Sequence, residues 1–536
     1  MNEQIDIDSL DTSVESEKQL AKEIASDDWL RVSPIAILYF FVKTLAALSN
    51  FLIYLLPVFA LNFSKVKAQP LLFIGAALGL MVIVMIGAVV KYLFYFYRLS
   101  ADRVEIRQGM IKKSHLDLPF GKIQNVKIIQ PFYYRFSDYS ILELDTAGSA
   151  QQEANIVAIR LPIAESFKQK VQAVFADVSA DNPSLSGDAG QSHKIIGEQE
   201  EILNRRSIKD LVVHGITNNR VWIFLGFLAP FYNVISENIG QIFSVIGLDI
   251  SSYLNYESQT LWVFILHVLS VAMVIMLFIV LFSIVGSIFV FYDYRLSRSG
   301  QRYIRRSGLL TKQEISMNVS RIQRAVFQQD WLDIIIGRVN LRFEQNSAGI
   351  AGGNQAAQIN SANKLIVPSV YPQQADELAQ DVFDVQALFN LHFQSISPRY
   401  ILRLLLFPCL PIFIALAALA TTQEFSLTGW IVVMVIMGLM TGLCTLRWYR
   451  WGIAKDEDFL YIRKGLFGRD FIVFPIAKMQ QTKFTQTLLM RARGLATLKF
   501  VLASGGMKVP YLPAEQVTSI IDEALLKVAR DKPAWM

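Results

Sequence analysis

Apolar runs arranged in three pairs dominate the hydropathy pattern of the chain. The pairs lie at approximately residues 34–63 and 70–95, 221–246 and 261–291, and 400–419 and 430–446. Runs of about 20 apolar residues are long enough to cross a hydrocarbon core roughly 30 Å thick, so six transmembrane helices in three hairpins are predicted. Pro230, Asn233 and Glu237 interrupt the third run, which is also compatible with a broken span or a helix followed by an interfacial segment.

Polar segments with a shared spacing follow the three pairs. Each contains a Tyr-Arg pair, an Arg-x-Gly hairpin signal, a triplet of a basic residue, an apolar residue and Gln, and then a leucine. The motifs are Tyr97-Arg98, Arg107-Gln108-Gly109, Lys122-Ile123-Gln124 and Leu142 in copy one; Tyr294-Arg295, Arg306-Ser307-Gly308, Arg321-Ile322-Gln323 and Leu341 in copy two; and Tyr449-Arg450, Arg463-Lys464-Gly465, Lys478-Met479-Gln480 and Leu498 in copy three. The distances from glycine to triplet to leucine are identical, which indicates three copies of one unit.

Strands and a final helix are predicted within each copy. Residues 115–120, 314–319 and 470–475 alternate in polarity or are rich in β-branched residues, as are the segments around the three leucines. Each copy then reaches an apolar-Pro pair, Leu161-Pro162, Tyr371-Pro372 or Leu512-Pro513, followed by about fifteen residues of helical periodicity. An insertion at 347–363, rich in Gly, Ala, Asn and Gln, is predicted to be a flexible surface loop of copy two.

These elements divide the chain into consecutive segments. They are an acidic cytosolic tail at 1–30, helices one and two at 31–97, the first domain at 98–177, a linker at 178–206, helices three and four at 207–294, the second domain at 295–390, helices five and six at 391–448, the third domain at 449–530 and a tail at 531–536. The acidic tail lacks the basic and apolar regions of a signal peptide, so the first helix is expected to remain in the mature protein.

Composition and charge agree with a membrane protein and predict its orientation. Only 18% of the 536 residues are charged and 53% are hydrophobic. Lys and Arg cluster after the second, fourth and sixth runs, whereas the loops between runs three and four and between runs five and six contain neither. Because cytoplasmic loops carry the excess of basic residues, both termini and the three domains are predicted to be cytosolic.

The hairpin of two spans, the Arg-x-Gly turn and the basic-apolar-Gln triplet resemble the bacterial pleckstrin-homology (PH) family. The resemblance is closer to the membrane-bound branch that carries such domains in tandem, and it covers nearly everything after Leu30. It implies a membrane α + β fold in which each hairpin precedes a strongly bent sheet or barrel closed by a C-terminal helix. It also implies a bacterial cytoplasmic membrane, a binding role and, as partner, a smaller relative with one unit or a second copy of the chain. A role in envelope stress or export is a further expectation.

Nine basic positions recur at fixed offsets from the turn glycine. They are Arg107, Arg306 and Arg463 before it, Lys113, Lys312 and Arg469 shortly after it, and Lys122, Arg321 and Lys478 in the triplets. Basic side chains beside a membrane attract anionic headgroups, at about 1 kcal/mol each. The hypothesis is that each domain presents these residues to lipid headgroups or to an acidic protein partner. The alternative is that they are solvated strand residues.

The sequence shows little sign of catalysis, and no cofactor, metal or nucleic-acid partner is expected. His115, His193, His214, His267 and His392 are scattered, and Cys409 and Cys444 lie in predicted spans, where packing is the expected role. A non-enzymatic scaffold is therefore the main interpretation. A transport component with a path through the helices, involving Lys43 and Glu237, is the alternative, and a membrane enzyme with an unrecognised site is a weaker one.

Overall fold

The computed structural model describes residues 28–61, 69–100, 102–110, 112–146, 154–181, 200–217, 261–345, 364–422 and 427–531. The predicted third span at 221–246 and the predicted surface insertion at 347–363 lie outside these residues. Within the described ranges the three copies follow one order of elements. In each copy a short strand comes first. The described helices that follow it include two apolar helices in copies one and three and one, Leu261–Phe291, in copy two. Two groups of three strands come next, and a helix ends the copy.

The elements of copy one are β1 (Leu30–Arg31), α1 (Ala36–Leu61), α2 (Pro70–Leu93), β2 (Tyr95–Leu99), β3 (Arg103–Gln108), β4 (Ser114–Pro119), β5 (Ile123–Gln130), β6 (Tyr139–Thr146), β7 (Ala154–Arg160) and α3 (Leu161–Asp181). Those of copy two are β8 (Glu201–Arg205), α4 (Ile208–Thr217), α5 (Leu261–Phe291), β9 (Arg295–Ser299), β10 (Arg302–Ser307), β11 (Lys312–Asn318), β12 (Arg324–Gln329), α6 (Trp331–Ile336), β13 (Val339–Glu344), β14 (Lys364–Val370) and α7 (Pro372–Val382).

Copy three comprises β15 (Gln394–Ser395), α8 (Arg399–Leu404), α9 (Leu410–Thr422), α10 (Leu427–Arg450), β16 (Gly452–Lys455), β17 (Phe459–Lys464), β18 (Arg469–Pro475), β19 (Gln481–Thr485), α11 (Leu488–Arg491), β20 (Leu495–Leu502), β21 (Gly505–Pro513) and α12 (Ala514–Asp531). A π-helical turn at Leu405–Cys409 joins α8 to α9. This turn contains Pro408, whose missing N–H and ring disturb regular helical hydrogen bonding.

The strands and helices predicted inside the copies are confirmed. The strands β4, β11 and β18 cover the three alternating segments, and β6, β13 and β20 contain the three leucines. The helices α3, α7 and α12 begin at or beside the apolar-Pro pairs. The turn glycines Gly109, Gly308 and Gly465 have positive φ, and a Cβ atom on any of them would lie 2.0–2.2 Å from a carbonyl oxygen three residues later. Glycine is therefore required at this turn.

A short strand before each helix pair was missed by the sequence prediction. Strand β1 pairs with β2, β8 with β9 and β15 with β16, so each sheet begins before the helices and resumes after them. Strand β8 lies at the end of the segment predicted to be a linker. The helix pair is thus inserted into a hairpin of the sheet, and the domain boundaries at 98 and 295 begin too late.

The copies are joined through their sheets. The described strands form a four-stranded sheet in the order β1-β2-β3-β4, two seven-stranded sheets in the orders β7-β6-β5-β11-β10-β9-β8 and β14-β13-β12-β18-β17-β16-β15, and a three-stranded sheet, β19-β20-β21. Each seven-stranded sheet combines the last three strands of one copy with the first four of the next. We call the β5–β11 pairing the first joint and the β12–β18 pairing the second joint.

The two joints have the same register. At the first joint Lys312 is opposite Gln130, and Glu314 is opposite Ile128. At the second joint Arg469 is opposite Gln329, and Phe471 is opposite Phe327. Lys312 and Arg469 occupy the same position of the repeat, as do Gln130 and Gln329. The second joint is longer, with five paired positions against three.

The hydrophobic cores show how strongly neighbouring copies are connected. Copy one has a core of its own residues, from Val32 to Val171. The core of copy two includes Tyr461, Phe471 and Val473 of copy three, while Val326 of copy two lies in the core of copy three. Copies two and three therefore share buried apolar surface across the second joint.

One described helix, α2, is long and apolar enough to cross a membrane, with a mean hydropathy of 2.7. Shorter apolar stretches lie at Ala36–Leu48 in α1 and Met276–Phe291 in α5. Helices occupy five of the six predicted spans, and the third span is outside the described residues. The prediction of six crossings is therefore not established by the fold.

Candidate anion-binding site

The first two basic positions of each copy lie in, or just before, two neighbouring strands of the same sheet. Arg107, Arg306 and Arg463 belong to β3, β10 and β17, and Lys113, Lys312 and Arg469 stand at or just before the start of β4, β11 and β18. The third position, Lys122, Arg321 or Lys478, ends a 3₁₀ turn between the two sheets of its copy. The nine residues are thus distributed over three structurally equivalent regions, whose local charges differ.

In copy one, Arg107 interacts with aromatic residues. Its guanidinium lies 3.8 Å from the centre of the Trp29 ring, and its Nε donates a hydrogen bond to His115 Nδ1 at 3.2 Å. Lys113 is exposed, and within the described residues its ammonium group makes no hydrogen bond or ion pair. The side chain of Lys122 lies outside the described part of the structure. Copy one therefore presents an isolated lysine and a stacked arginine.

In copy two, carboxylates neutralise Arg306, the first of the basic residues. Arg306 forms ion pairs with Glu314 at 2.8 Å and with Glu200 at 2.6 Å, and Lys168 of copy one also pairs with Glu314. Arg306 and Lys312 line a cavity of about 480 Å³ at the first joint, together with Glu165 and Glu314. This mixed lining gives the cavity no strong preference for an anion.

In copy three, the third basic residue has a structural role. Lys478 Nζ donates hydrogen bonds to two carbonyl oxygens of copy two, at Ser320 (3.0 Å) and Ile322 (2.6 Å). Burial lowers the pKa of Lys478 to about 8. The side chain thus connects the two copies beside the second joint and is not free for a ligand.

The other two basic residues of copy three form a cluster with the last residue of helix α10. Arg450 ends this apolar helix, Arg463 lies in β17 and Arg469 begins β18. All three side chains are half-buried. The Nε atom of each is buried and has no hydrogen-bond partner among the described residues. We call these three residues the arginine cluster.

The arginine cluster carries positive charge that the described residues do not neutralise. Arg463 donates to the Tyr449 carbonyl at 3.3 Å and lies 5.3 Å from the centre of the Phe393 ring, but no described carboxylate forms an ion pair with any of the three. Burial, followed by repulsion from Arg450 and Arg463, lowers the pKa of Arg469. Burial, aided by repulsion from Arg450, also lowers the pKa of Arg463. Such a site favours an anion, because an anion supplies both the missing charge and the missing acceptors.

The comparison with known proteins agrees with the repeat. The family model described as "Bacterial PH domain" matches residues 50–174, 245–378 and 409–527, which together cover more than half of the chain. The chain belongs to the bacterial PH domain family. Each match begins inside or before an apolar helix and ends in the C-terminal helix of a copy, so each family unit lies within one structural copy.

A curated relative is similar to this chain over most of the length of both proteins. The UPF0699 transmembrane protein YdbT of Bacillus subtilis (strain 168) is 20% identical over 434 residues, which cover 80% of this chain and 83% of that protein. The similarity therefore extends across helices and domains, as expected of a tandem member of the bacterial PH domain family.

The remaining candidate groups are separate from the arginine cluster. His214 Nδ1 lies 2.8 Å from Asn340 Oδ1, and His115 Nε2 lies 3.4 Å from Glu105 Oε2. The two cysteines are free and buried, with their Sγ atoms 3.8 Å apart. Within the described residues, no group of three or more His, Cys, Asp or Glu side chains is arranged to hold a metal ion.

The lysines of the first helix pair have nearby hydroxyl partners. Lys43 Nζ donates to Tyr39 Oη at 2.9 Å, and Lys91 Nζ donates to Thr44 Oγ1 at 2.9 Å. Glu237, the partner suggested for Lys43 by the sequence, is outside the described residues. The Lys43 hydrogen bond lies within α1, whereas the Lys91 hydrogen bond connects α2 to α1. Neither bond indicates a path for an ion.

Sequence reasoning aligned Arg450 wrongly. Arg450 was matched with Arg98 and Arg295 through the Tyr-Arg pairs, but strand pairing shows that the three are not equivalent. Arg98 is opposite Glu105 and Arg295 is opposite Arg306, whereas Arg450 is still helical. The sequence did contain a signal that Arg450 belongs with Arg463 and Arg469. A basic residue at the end of an apolar helix lies beside the strands that follow the helix.

Proposed function

We propose that the chain is a non-enzymatic scaffold of the bacterial cytoplasmic membrane, with its three PH domains on the cytosolic side. The positions of the apolar helices support this topology, because each copy resumes its sheet within a few residues of a helix end. The basic residues after α2, α5 and α10 support a cytosolic location of the sheets. The name of the relative YdbT as a transmembrane protein supports the location in a membrane.

The scaffold proposal extends to a ligand at the arginine cluster, an anionic phospholipid headgroup. The supporting observation is that Arg450, Arg463 and Arg469 lie at the end of an apolar helix without a described acidic partner. The C-terminal end of a helix carries partial negative charge, which offsets the charge of Arg450. Arg463 also contacts this helix end through the Tyr449 carbonyl, whereas Arg469 makes no such contact among the described residues. A phosphate group accepts hydrogen bonds from several guanidinium groups at once.

The test is a lipid titration of the purified full chain, followed by native mass spectrometry. The variant Arg450→Gln/Arg463→Gln/Arg469→Gln is compared with the unchanged chain in phosphatidylglycerol and, separately, in phosphatidylcholine. If each charge contributes about 1 kcal/mol, the triple variant is expected to lose up to about 100-fold in affinity for phosphatidylglycerol. Its binding of phosphatidylcholine is expected to be unchanged.

A control variant removes three positive charges from copy three at positions outside the arginine cluster. Arg491→Gln/Arg493→Gln/Lys499→Gln changes three exposed basic residues of α11, its following turn and β20. This control should retain phosphatidylglycerol binding. Equal losses in both triple variants would mean that only net charge matters, and an unchanged affinity in the first would overturn the headgroup proposal. A protein partner would be detected by crosslinking in native membranes. If the first triple variant loses a crosslinked protein but still binds phosphatidylglycerol, an acidic protein partner is favoured instead.

A further inference from the structure

The two ends of the joined array have sheet edges without a neighbouring strand. In the described residues, β4 of copy one pairs with β3 alone, and β19 of copy three pairs with β20 alone. By the repeat, β4 corresponds to β11 and β18, whereas β19 corresponds to β5 and β12. The free strands are therefore the two partners of a joint that the chain makes twice internally.

The shared register defines how these free strands would pair. Gln313 is opposite Ile129 at the first joint, and Asp470 is opposite Gln328 at the second. The corresponding free residues are Ser114 in β4 and Thr485 in β19. A third joint of the same geometry places Ser114 opposite Thr485 and the neighbouring His115 opposite Phe484.

The exposure of β19 agrees with a missing partner. Phe484 is 37% exposed, while its counterparts Ile128 and Phe327, which lie at the internal joints, are 7% and 0% exposed. An exposed aromatic residue on an edge strand is a site for pairing with another strand. The buried counterparts show that a partner strand covers the side chain at this position.

A lysine on an edge strand often prevents pairing, and β19 contains Lys483. The counterpart of Lys483 in copy one is Lys127, which lies beside the first joint and is only 4% exposed. Lys127 is accommodated by Glu143 at 3.3 Å on the neighbouring strand. A lysine at this position is thus compatible with a joint where the residue opposite it is acidic. In β19 the residue opposite Lys483 is Lys499, so a carboxylate that accommodates Lys483 must come from another position.

We propose that β19 of one chain pairs antiparallel with β4 of a second copy of the same chain, in the register of the two internal joints. The contact is head-to-tail, so it forms a ring if the rotation closes and an open array if it does not. The occupant is a second copy because this chain itself supplies both edges. This inference goes beyond the headgroup proposal and does not depend on it.

The internal joints are the precedent for such a contact. Each of them connects two units that follow their own apolar helices, and a joint between chains would repeat the same strand pairing. In contrast, pairing of β4 with β4 of another chain would be a different, symmetric contact with no counterpart in the structure. The repeat therefore specifies the strand, the direction and the register.

The test is disulfide crosslinking in native membranes. Two full-length chains with different tags are co-expressed, one with Ser114→Cys and the other with Thr485→Cys, both in a Cys409→Ala/Cys444→Ala background. Directly opposed strand residues bring their Cβ atoms close enough for a disulfide. Oxidation is expected to produce a covalent dimer that contains both tags. Cells that express only the Ser114→Cys chain, under either tag, are expected to give no dimer.

Further variants serve as controls. A chain with both Gln313→Cys and Ile129→Cys is the positive control, because these residues are paired at the first joint, and its disulfide is detected by peptide mass spectrometry. Gln481→Cys in place of Thr485→Cys moves the cysteine out of register and should reduce the dimer at least fivefold. Phe484→Lys should reduce it similarly because a charge would be buried, whereas Leu525→Lys, at an exposed position of α12, should not.

The outcomes separate this proposal from its alternatives. It is overturned if no two-tag dimer forms while the internal control crosslinks, or if the out-of-register pair reacts equally well. It is also overturned if Thr485→Cys is captured only by a different, smaller protein. Lipid titration of the arginine cluster is a separate measurement, so either proposal can fail without the other.

Discussion

At the scale of single residues, equivalent positions have acquired different surroundings in the three copies. Arg306 and Arg463 occupy the same place in the repeat, yet Arg306 has two glutamate partners and Arg463 has none among the described residues. The difference arises from Glu200 and Glu314, which copy three replaces with other residue types. A recurring charge in the sequence therefore does not indicate a recurring function.

A buried carboxyl in copy two predicts a pH-dependent stability. Asp333 is 1% exposed, and its Oδ2 accepts hydrogen bonds from Asn340 Nδ2 at 3.0 Å and from the Asp330 N–H at 3.1 Å. Burial raises the pKa of this carboxyl to about 6. Since a raised pKa means that the folded state favours the protonated acid, the stabilisation is complete below the ordinary pKa of 3.8 and is lost as the pH rises through about 6.

We therefore expect copy two to unfold more easily at pH 8 than at pH 5, by about 1 kcal/mol from this carboxyl. Asp333→Asn should remove this contribution, because an amide oxygen can accept the same hydrogen bonds without a charge. Thermal unfolding of the full chain at both pH values measures the difference. The exposed Asp522→Asn variant should behave like the unchanged chain, and an equal pH response in Asp333→Asn would contradict the assignment.

At the scale of elements, the turn that contains the recurring glycine leads into the joint strand in copies two and three. The turn glycine permits a tight reversal, and the strands that follow, β11 and β18, form the two joints. In copy three this turn ends with Gly468, where a Cβ atom would lie 2.4 Å from the Gln329 carbonyl oxygen of copy two. Copy two has Thr311 at the corresponding position, and its joint has fewer paired positions.

The close approach at Gly468 predicts a specific sensitivity of the second joint. Gly468→Ala should destabilise the chain by about 1–3 kcal/mol, since the new methyl group must displace backbone. Gly506→Ala in β21 is the matched control, because its nearest contact would be an ordinary 3.7 Å. Chemical denaturation of both variants is the measurement. Similar denaturation midpoints for the two variants would contradict this prediction, because they would show that the second joint accommodates the methyl group without a loss of stability.

At the scale of the whole molecule, the copies are not equally independent. Copy one is connected to copy two through three paired positions, the Lys168–Glu314 ion pair and a hydrogen bond from Arg135 to the Leu309 carbonyl. Copies two and three share apolar side chains in addition to strand pairing. The second joint should therefore transmit unfolding between copies more strongly than the first.

This difference is testable with Val473→Ala. Val473 belongs to copy three but is fully buried in the core of copy two, so its truncation should cost about 2 kcal/mol. Hydrogen exchange of the full chain is expected to increase in strands of both copies. Val104→Ala, in the separate core of copy one, should increase exchange in copy one alone. An effect of Val473→Ala limited to copy three would argue against a shared unit.

Sequence reasoning succeeded where the cause was local. Gly109, Gly308 and Gly465 indicated the turns because no other residue fits there, and the apolar-Pro pairs indicated helix starts because proline suits the first helical turn. It missed β1 and β15, which have two residues each and are too short for a period of two to appear. It also missed β8, whose five residues, Glu-Ile-Leu-Asn-Arg, do not alternate between apolar and polar. It also misaligned Arg450, because the distance from the Tyr-Arg pair to the Arg-x-Gly turn differs in each copy.

The sequence alone was enough to identify three copies of one unit, with most of the strands, the turns and the final helices, because those depend on residues close together in the chain. The shared sheets of neighbouring copies, the contact of Lys478 with copy two and the grouping of Arg450 with Arg463 and Arg469 became known from the tertiary structure. A strand edge exposes the same backbone groups in every copy. Which distant strand pairs with it depends on the packing of whole units, which leaves no local pattern in the sequence.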